Sequence, residues 1–321
     1  MISIKGGAAG QCLPLAAKFE LKDANVWGAT MLRTEDGICH LIFSTWPKSL
    51  GHMAWATHSE LGYATAEQPG GPYRFQGMAL TRDNGDRWDS GGMHNECLIE
   101  AKGKYYLYYN GQRGNGEWWD HRNHQRVGVA VADHPSGPWR RFDRPLIEPK
   151  PGHLLTATPN VFLRPDGRYQ MVYKTVTAGP PPFGGSVRHV IALADSPLGP
   201  FVDQPEPFIR RPATHFPIDD HVEWAQDGAY YAIVKDNQGE FTGHTGAMIL
   251  FRSADGLAWE LERDPVVMLP QITWEDGRTQ AFDRLEMPKL HMEKGTPTHL
   301  FLAGLPRGED DSFMVAVPLI S

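Results

Sequence analysis

Short runs of alternating apolar and polar residues recur along this chain at one spacing. Five segments share a form: EDGICHLIFST from Glu35, AKGKYYLYYNG from Ala101, PDGRYQMVYKT from Pro165, QDGAYYAIVKD from Gln226 and EKGTPTHLFLA from Glu293. Each places a tight-turn glycine before a run of β-branched and aromatic positions, the pattern of a hairpin turn entering a strand. The turn glycines Gly37, Gly103, Gly167, Gly228 and Gly295 are 66, 64, 61 and 67 residues apart. A second signature interleaves with the first: AEQPGGPYRF near Gly71, ADHPSGPWRRF near Gly137, ADSPLGPFVDQ near Gly199 and SADGLAWELE near Gly256. It reads as the turn between a third and a fourth strand. The repeating unit is therefore a four-stranded antiparallel sheet, and five of them fill the chain.

A single such sheet cannot bury both faces, so the units pack radially as a five-bladed β-propeller. The blades are expected at about 23–80, 87–145, 151–205, 212–265 and 280–321. The last is one strand short, and the segment before Asp23 is expected to supply that strand and close the ring. A β-sandwich would not repeat at so even a spacing. The pattern predicts one domain with no linker.

The frame also predicts which residues gather. In each blade the start of the first strand and the end of the second open on the same face. Nine residues before the turn glycines stand Gly28, His94, Thr158, Asp219 and Glu286, followed by Ala29, Asn95, Pro159, Asp220 and Met287. Seven residues after the glycines stand Ser44, Asn110, Lys174, Lys235 and Leu302. The loops on this face carry Trp46, Trp55 and His58, then Trp119, Arg122 and Arg126, then Arg188 and His189. Polar groups converging on one mouth mark the candidate site.

Asp219, Asp220 and Glu286 stand on adjacent inner strands. Paired carboxylates in a concave pocket suit glycosidic cleavage, one as proton donor and the other as base or nucleophile. Blade one offers no acid in the frame, only Gly28. Asp23 lies five residues upstream and is the candidate base, with Asp89 and Glu96 as weaker candidates. His94 reads as an acid/base, a metal ligand or a core histidine. Trp27, Trp46, Trp88 and Trp119 read either as sugar platforms or as packing between blades. Asn95 borders the mouth, and Lys174, Lys235, Arg126 and Arg188 either bind an anionic substrate or balance the carboxylates.

Composition narrows the partners. A net charge of -7, without clusters of Lys or Arg, argues against nucleic acid. Cys12, Cys39 and Cys97 form neither a disulfide framework nor a zinc spacing. No apolar run is long enough to span a membrane, and the N-terminus lacks the pattern of a signal peptide, so the expectation is a cytoplasmic protein. Nothing in the pattern fixes an oligomeric state.

These motifs resemble the five-bladed propeller glycoside hydrolases of family 43 and their relatives, including family 117. The carriers are KGKYYLYY from Lys102, VAVADHPSGPWRRF from Val129, IDDHVEW with Asp219 and Asp220 at its acidic positions, and LEMPKL with Glu286. The resemblance implies a blade-one aspartate as base, a middle-blade aspartate that tunes pKa and a later glutamate as acid. In this chain that gives Glu286 as acid, Asp220 as its modulator and Asp23 as base. The chain departs from the group at blade one, where WGATML replaces a DP-containing segment. It also lacks the NDPNG segment of the fructan-acting relatives, which argues against sucrose or fructan. The resemblance further implies a possible calcium ion in the central channel, but no cofactor that the reaction requires. The expected activity is exo-hydrolysis of a terminal sugar from a carbohydrate substrate. A glycoside phosphorylase and a non-catalytic carbohydrate-binding propeller are the alternatives.

Overall fold

The structure, a computed structural model, describes residues 12–83, 85–209 and 214–319. The expected starts of the N-terminal segment and of blade four (212–213), and the last two residues of blade five, lie outside the described residues. Five antiparallel sheets form the blades. Blade one contains Ala24–Arg33, Cys39–Pro47, Glu60–Ala66 and Arg74–Leu80. Blade two contains Gly92–Ala101, Lys104–Gln112, Arg126–Ala132 and Arg140–Arg141, and blade three His153–Leu163, Tyr169–Thr177, Val187–Ala194 and Val202–Pro207. Blade four contains Ile218–Gln226, Ala229–Asp236, Ala247–Ser253 and Glu260–Met268. Blade five is built on Thr279–Glu293, Thr296–Pro306 and Phe313–Pro318.

The outer strand of blade five comes from the other end of the chain. Lys18–Phe19 pairs antiparallel with Phe313–Pro318, in the register Lys18 opposite Val315 and Phe19 opposite Met314. A feature the repeat did not foretell lies at the inner edge of this sheet. Gln271–Trp274 pairs with the long first strand, and Cys12–Leu13 lies parallel to it.

The five hairpin glycines have φ between +70° and +85°, the left-handed region that costs a residue with a Cβ. The second strands are buried on both faces, Cys39–Trp46 without interruption, because each is sandwiched between neighbouring blades. An apolar core fills each of the five interfaces. Ile42, Leu61 and Leu80 of blade one meet Met93, Leu98 and Tyr109 of blade two. Tyr108 and Val129 meet Val161, Met171 and Tyr173. Val172 and Ile191 meet Ile218, Val234 and Ile249. Trp224, Ile233 and Leu250 meet Leu285, Leu302 and Val315. Phe301 and Met314 meet Val26, Leu41 and Phe43, which closes the ring. Each large apolar side chain taken from water contributes roughly 1.5–3 kcal/mol, so these five cores are what hold the blades in a ring.

All five inner strands are irregular at the same height. Register shifts fall between Trp27 and Thr30, His94 and Cys97, Ala157 and Asn160, Ile218 and His221, and Glu286 and Lys289. A bulge re-aims the side chains around it. In blades two, four and five the bulges turn consecutive residues of the inner strand toward the mouth of the channel.

Candidate active site

A pocket with a volume of about 90 Å³, room for several waters, opens at this mouth. Its walls include Trp27, Trp46, His52, Trp55, His94, Asn95, Lys174, Asp219, Asp220, Arg284, Glu286 and Met287. The inner-strand bulges of blades one, two, four and five supply most of these residues.

The second-strand frame residues explain how the blades are tied together here. Each reaches into the inner strand of the next blade. Ser44 of blade one donates to Glu96 Oε2 at 2.6 Å and accepts from Asn95 N at 3.2 Å. Asn110 of blade two accepts from Thr158 N at 2.7 Å. Lys174 of blade three pairs with Asp219 at 2.6 Å. Lys235 of blade four pairs with Glu286. The corresponding residue of blade five, Leu302, makes no such clasp: it packs back into the apolar core between blades four and five. The clasp recurs at four interfaces, as a hydroxyl on the Glu96 carboxyl, an amide on a backbone N–H, and then two ion pairs.

The three carboxyl groups are in different states. Asp219 is buried, which pushes its pKa up, but Lys174 and Lys235 outweigh burial and hold it below the usual range. Asp220, only 4% exposed, accepts from Met287 N at 3.1 Å. Burial, with the charges of Asp219 and Glu286, pushes its pKa up to about 7. Glu286, 5% exposed, is paired with Lys235 and lies 3.5 Å from Arg284 Nη1. Burial draws the Lys235 ammonium down, but Glu286, Asp219 and Asp220 outweigh it and leave that group raised. The pocket floor therefore holds one carboxyl that gives up its proton only near neutral pH, beside two carboxyls in ion pairs.

Aromatic rings form the opposite wall. His52 packs against Trp27 at 4.6 Å and Trp46 at 5.5 Å between ring centroids. Neither nitrogen of this 3%-exposed imidazole has a hydrogen-bond partner in the protein. Burial, with the nearby Arg284 charge, lowers its pKa to about 4, so it is neutral. Trp55 packs edge-on against His94, whose pKa burial and the Lys174 charge lower to about 3. An aromatic belt continues along the rim from Trp55 to Trp118, Trp119 and Phe183, with the Arg122 guanidinium over the last two.

Several expected site residues lie elsewhere. Asp23 is exposed ahead of the first inner strand and does not line the pocket; only its carbonyl is used, accepting from Lys48 N at 3.1 Å. Gly28 shows why blade one carries no acid in the frame. A Cβ there would stand 2.9 Å from Glu96 Oε1, so the carboxylate of blade two fills the space. Glu96 is fully buried in the channel, which raises its pKa to about 7. Asp89 is structural, accepting from Tyr109 and pairing with Arg87 and Arg141. Trp88 stacks on Tyr109 between blade strands. Trp119 sits on the rim, 39% exposed, outside the pocket wall. Arg126 pairs with Glu148 and donates to the Asn123, Gln125 and Leu154 carbonyls. Arg188 is exposed and does not line the pocket. His52 was missed because it stands in an irregular loop outside the frame.

The channel below does not suit a bound metal ion. Among the described residues no three His, Cys, Asp or Glu side chains form a group that could hold one. The axis is instead crossed by the Lys289 side chain, whose ammonium would repel a second cation.

No protein-family model matches the sequence, and no curated protein matches it. Solved structures match nearly end to end. One described as a glycoside hydrolase has a TM-score of 0.71 at 13% identity, covering 98% of this chain and 93% of that one. Zg3597, a family 117 glycoside hydrolase from the marine bacterium Zobellia galactanivorans, gives 0.64 at 17% identity, covering 94% and 89%. CoXyl43, a GH43 β-xylosidase/α-arabinofuranosidase from a compost metagenome in complex with xylotriose, in a calcium-free form, gives 0.63 at 15%, covering 94% of each chain. At such identities the likeness speaks for the fold. The chain thus resembles family 43 and family 117 glycoside hydrolases in sharing their five-bladed propeller.

Proposed function

We propose that this protein is a glycoside hydrolase that releases a terminal sugar from an oligo- or polysaccharide. The observation that carries this reading is the meeting, on the floor of one pocket, of the buried Asp220, whose pKa is raised to about 7, with an ion-paired Glu286. Glycoside cleavage needs one carboxyl that gives a proton and one that acts as base or nucleophile. Asp220, pushed up to about 7, is the acid that protonates the leaving oxygen. Glu286, in an ion pair with Lys235 and 3.5 Å from Arg284 Nη1, activates water or attacks the anomeric carbon. This exchanges the roles that the family resemblance implies and leaves Asp23 without one. Trp27, Trp46 and Trp55 offer apolar faces to a sugar ring, and Asn95 offers hydrogen bonds to its hydroxyls. A small pocket at the channel mouth, with an aromatic rim on the side of blades one to three, supports exo action. Lys174 and Lys235 are already paired with carboxylates, which favours water over phosphate as the acceptor.

The test is hydrolysis of a panel of aryl glycosides and natural oligosaccharides by wild type and Glu286→Gln. Turnover by wild type, and its loss in a folded variant that still binds sugar, is the expected result. Equal turnover in both would remove Glu286 from the reaction. Sugar binding by wild type without cleavage would favour a binding propeller. Following the anomer released by NMR would then separate inversion from retention.

A further inference from the structure

The side chain of Lys289 leaves the inner strand of blade five and reaches past blade four to blade three. Its Nζ lies 3.4 Å from both Pro159 O and Asn160 Oδ1. Blades three and five are not neighbours, so the side chain crosses the channel axis. Its charge also acts on Glu96 and Cys97 of blade two. Two branches lead from the ammonium toward the pocket. In one, Asn160 Nδ2 donates to Glu223 Oε2 at 2.8 Å, and Glu223 Oε1 meets His221 Nδ1 at 2.9 Å, next to Asp220 in the chain. In the other, Glu96 accepts from Ser44, which accepts in turn from the backbone of the pocket residue Asn95.

Lys289 is 4% exposed, and Glu223 and Glu96 are at most 2% exposed. A buried ammonium persists only where carboxylates and carbonyl oxygens offset its loss of water. The same oxygens are what a hard divalent cation would seek. Both cannot occupy one axis.

We propose that the Lys289 ammonium is the built-in cation of this channel, tying blades two to five beneath the pocket in place of a divalent metal ion. Lys289 is a positioning residue: hydrogen bonds carry its influence through Asn160 to Glu223 and His221, its charge alone acts on Glu96 and so on Ser44 and Asn95, and it touches no reacting atom. This inference concerns the channel alone and stands whether or not the pocket cleaves sugars.

The experiment measures metal content and thermal unfolding. Wild type purified in calcium-containing buffer should hold far less than one divalent ion per chain, and its Tm should be the same in chelator and in calcium. A stoichiometric metal ion, or a fall in Tm on chelation, would overturn the proposal. Lys289→Ala removes the buried cation of the channel and leaves Pro159 O and Asn160 Oδ1 without it, so its Tm should fall by roughly 10 °C. Calcium or propylammonium should recover part of that loss, a response that lost packing alone would not show. A folded Lys289→Ala whose Tm ignores both cations would also count against the proposal. If that variant does not fold, the wild-type measurements still decide.

Discussion

Replacing Asp220 by Asn tests the electrostatics of the pocket without reference to any substrate. The fully buried Asp220 carboxyl moves from its ordinary 3.8 to about 7. A raised acid contributes its full stability below its unfolded value and loses it as pH rises through the folded value. Folded-state stability should therefore fall by about 1.4 kcal/mol per pH unit through this one group between about pH 4 and 7, or ~4 kcal/mol in all. Glu96, raised from 4.5 to about 7, slopes the same way. The buried His52 and His94, lowered to about 4 and about 3, slope the opposite way, because the unfolded chain takes up their protons first. The wild-type curve mixes all of these, whereas its difference from Asp220→Asn isolates Asp220. Urea unfolding of both proteins from about pH 4 to 8 is the assay. The difference should move toward the variant by several kcal/mol across that window. A difference that stays flat would refute the raised pKa and with it the choice of Asp220 as acid. Activity adds a second readout. Wild-type kcat should fall above about pH 7 as Asp220 ionises, and the variant should lose that limb together with about 10²–10⁴ of the rate.

Other perturbations follow from the same geometry. Glu286→Gln should lower kcat/KM by at least about 10²-fold with the fold kept, read from initial rates and circular dichroism. Gly28→Ala should cost about 2–4 kcal/mol in chemical unfolding, from its φ of +56° and the 2.9 Å approach to Glu96 Oε1. Asn95, Thr158 and Met287 hold similar φ with side chains, so a loss below about 0.5 kcal/mol would show that Glu96 yields freely. His52→Phe keeps an aromatic ring between Trp27 and Trp46 but removes two buried nitrogens that have no partner. It should stabilise the fold by about 1 kcal/mol in chemical unfolding, and a loss of stability would refute that reading.

The fold was legible in the sequence because a propeller repeats its local rules. Period-two alternation marks the strands, and a positive-φ glycine marks each hairpin. The spacing of those glycines sets the blade count without reference to any distant contact. The same frame led to His94, Asn95, Asp219, Asp220 and Glu286, all of which line the pocket, because an equal offset from an equivalent turn reaches an equivalent height in each blade. It also picked out Ser44, Asn110, Lys174 and Lys235, but not that each clasps the following blade, since that depends on how one sheet packs on the next.

The remaining features depend on distances across the ring. Blade one lacks a frame acid because Glu96, from another blade, fills the space beside Gly28. His52 enters the pocket from a loop with no periodicity. Arg126 and Trp119 read like site residues by composition, but a carboxylate at Glu148 holds one and rim packing holds the other. Which carboxyl carries the proton is likewise a sum over burial and charges on three blades: Lys174, Asp219 with Lys235, and Glu286. Strand and turn chemistry is local and so can be read along the chain. Burial and electrostatic fields join residues far apart in sequence, and only the closed ring sets them.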